Sequence, residues 1–165
     1  TNVVLGAQDS GVTIRGAGTG KTILDRGNVV SSSRVFDLSG ADDVTIEGMT
    51  LRGAYHAILA SSGWDSDRIT IRDVEIVSNA HIGLEVQASN EGWRIEANRV
   101  HANGSYGIQV SEGPALIVGN EVFDNASTGI VATENTTGAA SRANPAMASA
   151  QIGAAETARH ACTAS

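Results

Sequence analysis

The sequence predicts an all-β chain. The expected fold is a right-handed parallel β-helix, a solenoid of about four to five coils over residues 1–133, followed by an alanine-rich segment over 134–165 outside the repeat. Three observations predict it. A strand-like segment recurs at residues 44–51, 69–76, 93–100 and 115–122, and aligning Ile46, Ile71, Ile95 and Ile117 gives steps of 25, 24 and 22 residues. Asn79, Asn103 and Asn125 recur at one offset from those isoleucines, and Gly83, Gly107 and Gly129 at another. Finally, 19 glycines accompany only 2 prolines and 4% aromatics, so the glycine serves turns rather than a flexible linker.

Each coil reads as three short strands with alternating, β-branched character. The first ends at the aligned isoleucine. The second carries Leu51, Ile76, Val100 and Val122, and the third carries Leu59, Leu84, Ile108 and Ile130. An earlier, less regular coil opens at Val12-Thr13-Ile14-Arg15, and residues 3–5 read as the last strand of a coil before it. Stacking at ~4.8 Å places equivalent residues over one another. Outward columns then alternate in sign: Arg15, Glu47, Arg72, Glu96 on the first strand and Glu75, Arg99, Glu121 on the second, as a solvated salt-bridge ladder requires. After Thr133 the repeat stops. Alanines over 146–161 permit a helix interrupted by Gly153, and the segment is expected to cap the last coil or to associate with a second chain.

Eleven Lys and Arg against 18 Asp and Glu leave a net charge of -7, which disfavours nucleic acid and anionic membranes. No run of 18 apolar residues occurs. The single cysteine, Cys162, allows neither an internal disulfide nor a thiolate zinc cluster.

Several constellations carry chemistry. His56 and His81 fall ten residues past their isoleucines and should stack, with Glu85 and Gln109 facing outward on the next strand; a histidine pair beside a carboxylate can act as acid and base. Asp42, Asp67 and Glu91 each precede their isoleucine by four residues, with Asp43 and Asp65 nearby. Such a column could share a hard cation such as calcium, unless Arg68 and Arg94 neutralise it; no cofactor is otherwise required. Trp64 and Trp93 lie near coil turns, where an exposed indole offers a sugar-stacking surface and a buried one packs the turn. The segment Gly16-Ala17-Gly18-Thr19-Gly20-Lys21-Thr22 imitates a phosphate-binding loop but is followed by the strand-like Ile23-Leu24-Asp25, so it reads as a solenoid turn. Asn103, Asn125 and Asn135 satisfy the glycosylation pattern, and turn chemistry accounts for the first two.

Val12-Thr13-Ile14-Arg15-Gly16-Ala17-Gly18 with Thr22-Ile23-Leu24-Asp25, and repeats of Ile-x-Ile followed by Asn and Gly-Ile, resemble the right-handed β-helix proteins of the pectate-lyase-like superfamily over about residues 1–133. The resemblance implies a secreted or cell-surface protein and the acidic-polysaccharide chemistry of lyases, polygalacturonases and epimerases. Tyr106-Gly107-Ile108-Gln109-Val110-Ser111 is similar to the epimerase motif Tyr-Gly-Phe-Asp-Pro-His, with Gln109 and Ser111 standing where the motif has Asp and His. The resulting expectation is a non-catalytic module, structural or carbohydrate-binding through Trp64, Trp93, Tyr106 and Gln109, with a polysaccharide partner and self-association through coil ends or the C-terminal segment. The competing expectation is a small polysaccharide lyase using His56, His81 and Glu85, with Asp42, Asp67 and Glu91 as metal ligands.

Overall fold

A computed structural model describes residues 1–132 and 136–137, and the backbone of 151–152. The chain begins with β1 (Val3–Gly6), a short 3-10 turn (Ala7–Asp9), β2 (Thr13–Arg15), β3 (Ile23–Asp25) and β4 (Arg34–Ser39). Two longer strands follow, β5 (Thr45–Arg52) and β7 (Thr70–Val77), separated by β6 (His56–Ala60). Then come β8 (Leu84–Val86), β9 (Trp93–Glu96), β10 (Arg99–His101), β11 (Ile108–Val110), β12 (Ala115–Val118), β13 (Glu121–Phe123) and β14 (Ile130–Ala132). Two further short strands are β15 (Thr136–Thr137) and β16 (Gln151–Ile152).

The ladders between these strands are parallel and join each strand to its equivalent one coil away, which defines a solenoid of about 5 turns. Ile14, Ile46, Ile71, Ile95 and Ile117 stand in one column, as the repeat requires. Leu24, Leu51, Ile76, Val100 and Val122 form the second. The third column differs by one residue. Ile58, not Leu59, lies beside Leu84, followed by Ile108 and Ile130. One residue, Ala57, links His56 to Ile58, whereas Ile82 and Gly83 link His81 to Leu84, and the Gly83 carbonyl accepts from both Ala57 and Ile58 N–H at 3.1 Å. Leu59 therefore faces outward, beside Glu85.

The corners explain how straight strands close into a coil. Gly48, Asp73, Ala97 and Gly119 have φ of 67, 51, 54 and 66°, and Gly53, Ser78, Ala102 and Asp124 have φ of 68, 55, 53 and 50°. One left-handed residue per corner turns the chain, a conformation that costs a non-glycine residue about 1 kcal/mol. An asparagine following such a residue recovers that cost. Asn103 Nδ2 donates to the Ile76 carbonyl (3.3 Å) and to Asn125 Oδ1 (2.9 Å), while its Oδ1 accepts from Asn79 N–H and Nδ2 at 3.1 and 3.0 Å. Asn98 and Asn120 build a second ladder at the other corner, Nδ2 to Oδ1 at 3.0 Å. These asparagines are buried, so Asn103 and Asn125 serve as ladder rungs rather than presented glycosylation acceptors; Asn135 lies outside the described residues.

The core is the stack of inward aliphatic side chains, with Ile46, Ile71, Ile95 and Ile117 all fully buried, each contributing roughly 2–3 kcal/mol of apolar burial. The glycine-rich segment is a turn: Gly16 and Gly18 N–H donate to the Glu47 and Gly48 carbonyls, and a Cβ on Gly16 would come within 2.2 Å of the Gly48 oxygen. Beyond residue 132, β15 continues the first column beside β12, and β16 pairs with β14. The helix expected over 146–161 falls outside the described residues except at Gln151–Ile152, which is a strand, and Cys162 lies outside them entirely.

Candidate functional site

The solenoid's outward surfaces fall into two kinds. On the first and second strands, charge is matched to charge. Glu47, buried between the Arg15 and Arg72 guanidiniums, is held below the usual carboxylate range by hydrogen bonds from Arg72 and then Arg15. Arg99 sits between Glu75 (3.5 Å) and Glu121 (3.3 Å). Burial pushes the Glu75 carboxyl up, but hydrogen bonds from His101 and Thr50 outweigh it and leave it lowered. His101 also stacks on Phe123 at 4.7 Å.

The acidic edge is likewise closed. Asp42, Asp67 and Glu91 do come together, but Asp42 Oδ1 accepts the Asp67 N–H (2.9 Å) and Asp67 Oδ1 accepts the Glu91 N–H (2.7 Å). The Arg68 guanidinium lies 3.1 Å from Asp42, 2.8 Å from Asp43 and 3.7 Å from Asp67, and its hydrogen bond lowers the Asp43 carboxyl. Among the described residues no group of three or more His, Cys, Asp or Glu is arranged to hold a metal ion. The carboxylates staple successive turns to one another.

The third-strand sheet, β1-β4-β6-β8-β11-β14-β16, is different. Its outward column runs Asp37, Leu59, Glu85, Gln109, Val131, in which Leu59 and Glu85 are buried and neither carboxylate is ion-paired to an arginine or lysine among the described residues. At its entry corner lies the expected histidine pair. His56 Nε2 is 3.0 Å from His81 Nδ1 and 3.3 Å from Glu85 Oε2, and Tyr55 stacks flat on His81 at 4.7 Å. Glu85 Oε1 accepts from Gln87 Nε2 (2.9 Å), and Gln87 Oε1 in turn accepts the Ser62 N–H (3.1 Å) in the turn that presents Trp64. A polar line thus crosses from Tyr55 to the turn of Trp64.

Protonation of this line follows from burial. His56 is only 7% exposed, and desolvation, with Arg34 and His81 adding repulsion, pushes its imidazole down to about 3. Neutral His56 therefore carries its hydrogen on Nε2, where both acceptors lie, and leaves Nδ1 a bare lone pair; Nδ1 and the buried Arg34 Nε have no partner among the described residues. Because His81 and Glu85 both touch the same nitrogen, the ring cannot pass a proton between them. A base with so low a pKa is also weak at neutral pH. His56 braces the corner, while the half-buried Tyr55 and His81 reach solvent.

The expected sugar-contacting residues separate cleanly. Trp93 is 1% exposed, with Nε1 donating to the Ser66 carbonyl at 2.9 Å, so it is a core residue and offers no stacking face. Trp64 is 52% exposed. Gln109 is half-buried on the third sheet in register with Glu85, and Tyr106 is half-buried in the corner before β11. Arg34, Tyr55 and Gln87 are the participants that spacing did not reveal. Arg34 belongs to the irregular early coil, and Tyr55 has no aromatic equivalent in the next; outward parity with Glu85 would have found Gln87.

Comparison with known proteins adds one result: a family model described as the right handed beta helix region matches residues 1–145. No curated protein and no solved structure matches the chain.

Proposed function

We propose that this chain, which belongs to the right-handed β-helix family, is a non-catalytic carbohydrate-binding module whose binding surface is the outer face of the third sheet. One observation carries the reading. Of the six Phe, Trp and Tyr, Phe36 and Trp93 are buried in the core, and three of the remaining four, Tyr55, Trp64 and Tyr106, flank this sheet. Aromatic faces beside amides and an imidazole are what a sugar ring needs, one apolar face to stack and hydroxyls to pair. Tyr55 and Trp64 lie beyond opposite ends of β6, whose five residues span ~17 Å and are themselves buried, so the surface offered is the two rings and the half-buried side chains around them. The outward columns of the first and second strands are occupied by ion pairs.

Affinity electrophoresis and calorimetry against a polysaccharide panel, with and without calcium, test the reading. Trp64→Ala, at an exposed turn, is expected to lower affinity at least tenfold without changing stability; unchanged affinity would refute the surface. Self-association belongs to the same proposal: Val3, Val4, Val12 and Ile23 are exposed on the first strands, a surface that a second copy would cover, and light scattering reads the outcome. The competing lyase reading is tested by incubating the protein with alginate, pectate and chondroitin and following the ultraviolet absorbance of unsaturated products. Product that disappears in His81→Ala would replace the binding-module reading with the enzymatic one.

A further inference from the structure

We propose that Asn103–Gly104 is a site of spontaneous covalent modification that the folded solenoid locks and unfolding releases, so that the chain records its excursions from the native state. Of its ten asparagines, only Asn103 precedes a glycine. That pair is the most reactive setting for an asparagine, because glycine has no side chain to hinder ring closure and samples the widest range of backbone conformations. The fold nevertheless demands it: a Cβ on Gly104 would come within 2.2 Å of the Ala80 carbonyl oxygen one coil away.

The chemistry is intramolecular. The Gly104 nitrogen loses its proton and attacks Asn103 Cγ, the Cγ–Nδ2 bond breaks, ammonia leaves with a proton in place of the one lost, and a succinimide remains. Water then opens the succinimide at either carbonyl, giving aspartate or isoaspartate. The native chain holds each of these atoms away from that step. The Gly104 N–H donates to the Asn79 carbonyl (2.9 Å), and the carbonyl of the same peptide, that of Asn103, accepts the Ala126 N–H (2.9 Å), so the peptide is pinned between the coils on either side. Asn103 is 1% exposed, and its amide is fixed by bonds to Asn79, Ile76 and Asn125. Gly104 itself faces solvent, so the lock is hydrogen bonding and not enclosure. Reaction requires the bonds to both neighbouring coils to open, and its rate follows the population of the opened chain. The product does not return to the stack. Aspartate aims a second oxygen at Asn125 Oδ1, and isoaspartate adds a carbon to the main chain where N–H and C=O both bond the next coil.

The experiment holds the intact protein at mildly alkaline pH in buffer, in urea below its unfolding transition and in urea above it. Each sample is returned to buffer, separated by size exclusion and digested, and the peptide containing residues 103–104 is read by mass spectrometry for the amide-to-acid mass gain. Amide loss at position 103 is expected to be at least tenfold faster above the transition than in buffer, unchanged by urea below it, and confined to chains that fail to regain the native elution volume. Equal loss in buffer and above the transition, or no excess over the other asparagines above it, would overturn the site. Modified chains that elute with the native protein and unfold at its urea midpoint would overturn the record of unfolding.

Discussion

Replacing Asn103 by alanine isolates what a single rung of the asparagine ladder contributes. The side chain makes four hydrogen bonds: two accepted from Asn79, one donated to the Ile76 carbonyl and one donated to Asn125 Oδ1. Asn79 Nδ2 retains the Leu51 and Val77 carbonyls, and Asn125 Oδ1 retains the Asn103 N–H. The groups left stranded are the buried Asn79 N–H and the Ile76 carbonyl. At about 1 kcal/mol net per bond, with the higher desolvation cost for stranded groups, Asn103→Ala should cost about 3–5 kcal/mol, a large part of a normal domain's stability. Asn103→Asp keeps the acceptor but aims a second oxygen at Asn125 Oδ1, and should cost at least as much at pH 7. Asn28→Ala, at an exposed turn where Oδ1 accepts only the Val30 N–H, is the control and should cost under ~1 kcal/mol. Urea unfolding followed by circular dichroism and by tryptophan fluorescence reads the midpoint, and coincident transitions license the two-state conversion that solenoids do not guarantee. A loss below ~1 kcal/mol, or one equal to the control's, would refute the account of the ladder.

Acidification supplies a second test. The unfolded His56 imidazole titrates near 6.5 and the folded one near 3, so below pH 6.5 the unfolded chain binds a proton that the native state refuses, and stability falls with pH. From pH 6.5 to 5 the full effect is about 2 kcal/mol, or ~1 kcal/mol allowing for solvent at the ring edge, and His56→Gln should flatten this limb of a stability-versus-pH curve. Glu47 acts lower: its folded pKa lies below the ordinary 4.5, so its stabilisation is present above that value and fades as pH falls further, and Glu47→Gln should remove this separate acid limb from the same curve. Gly16→Ala drives a methyl into the Gly48 carbonyl and should lower the melting temperature by several degrees, whereas Gly63→Ala, with open space around it, should not. Trp93→Phe loses the bond to Ser66 and leaves a void, at about 2 kcal/mol by urea unfolding.

The repeat was readable because a two-dozen-residue period forces like over like: two of the three inward columns follow from spacing alone, as do the sign-alternating Arg15–Glu47–Arg72 and Glu75–Arg99–Glu121 columns. The third column slipped by one residue because turn length is free to vary where nothing pairs, and no local signal separates Ile58 from Leu59. The Asn98–Asn120 ladder stayed hidden because it spans only two coils: the equivalent positions in the two coils before are Met49 and Val74, which carry no such side chain. In the candidate site, the approach of His56 to His81 was readable from equal offsets, but the edge-to-face meeting of the rings and its consequences were not. Burial of His56, exposure of Trp64 and burial of Trp93 depend on how neighbouring turns fold over each residue, which the period does not encode.

Steps of 25, 24 and 22 residues coexist in one stack because the ladders fix only the strands and leave each corner its own length. Each rung is therefore an interchangeable cassette. Excising one whole rung, for example residues 71–94, brings Ile95 into the place of Ile71 and should give a shorter cylinder with matched asparagines. Removing half as many residues would put polar faces into the core and prevent folding.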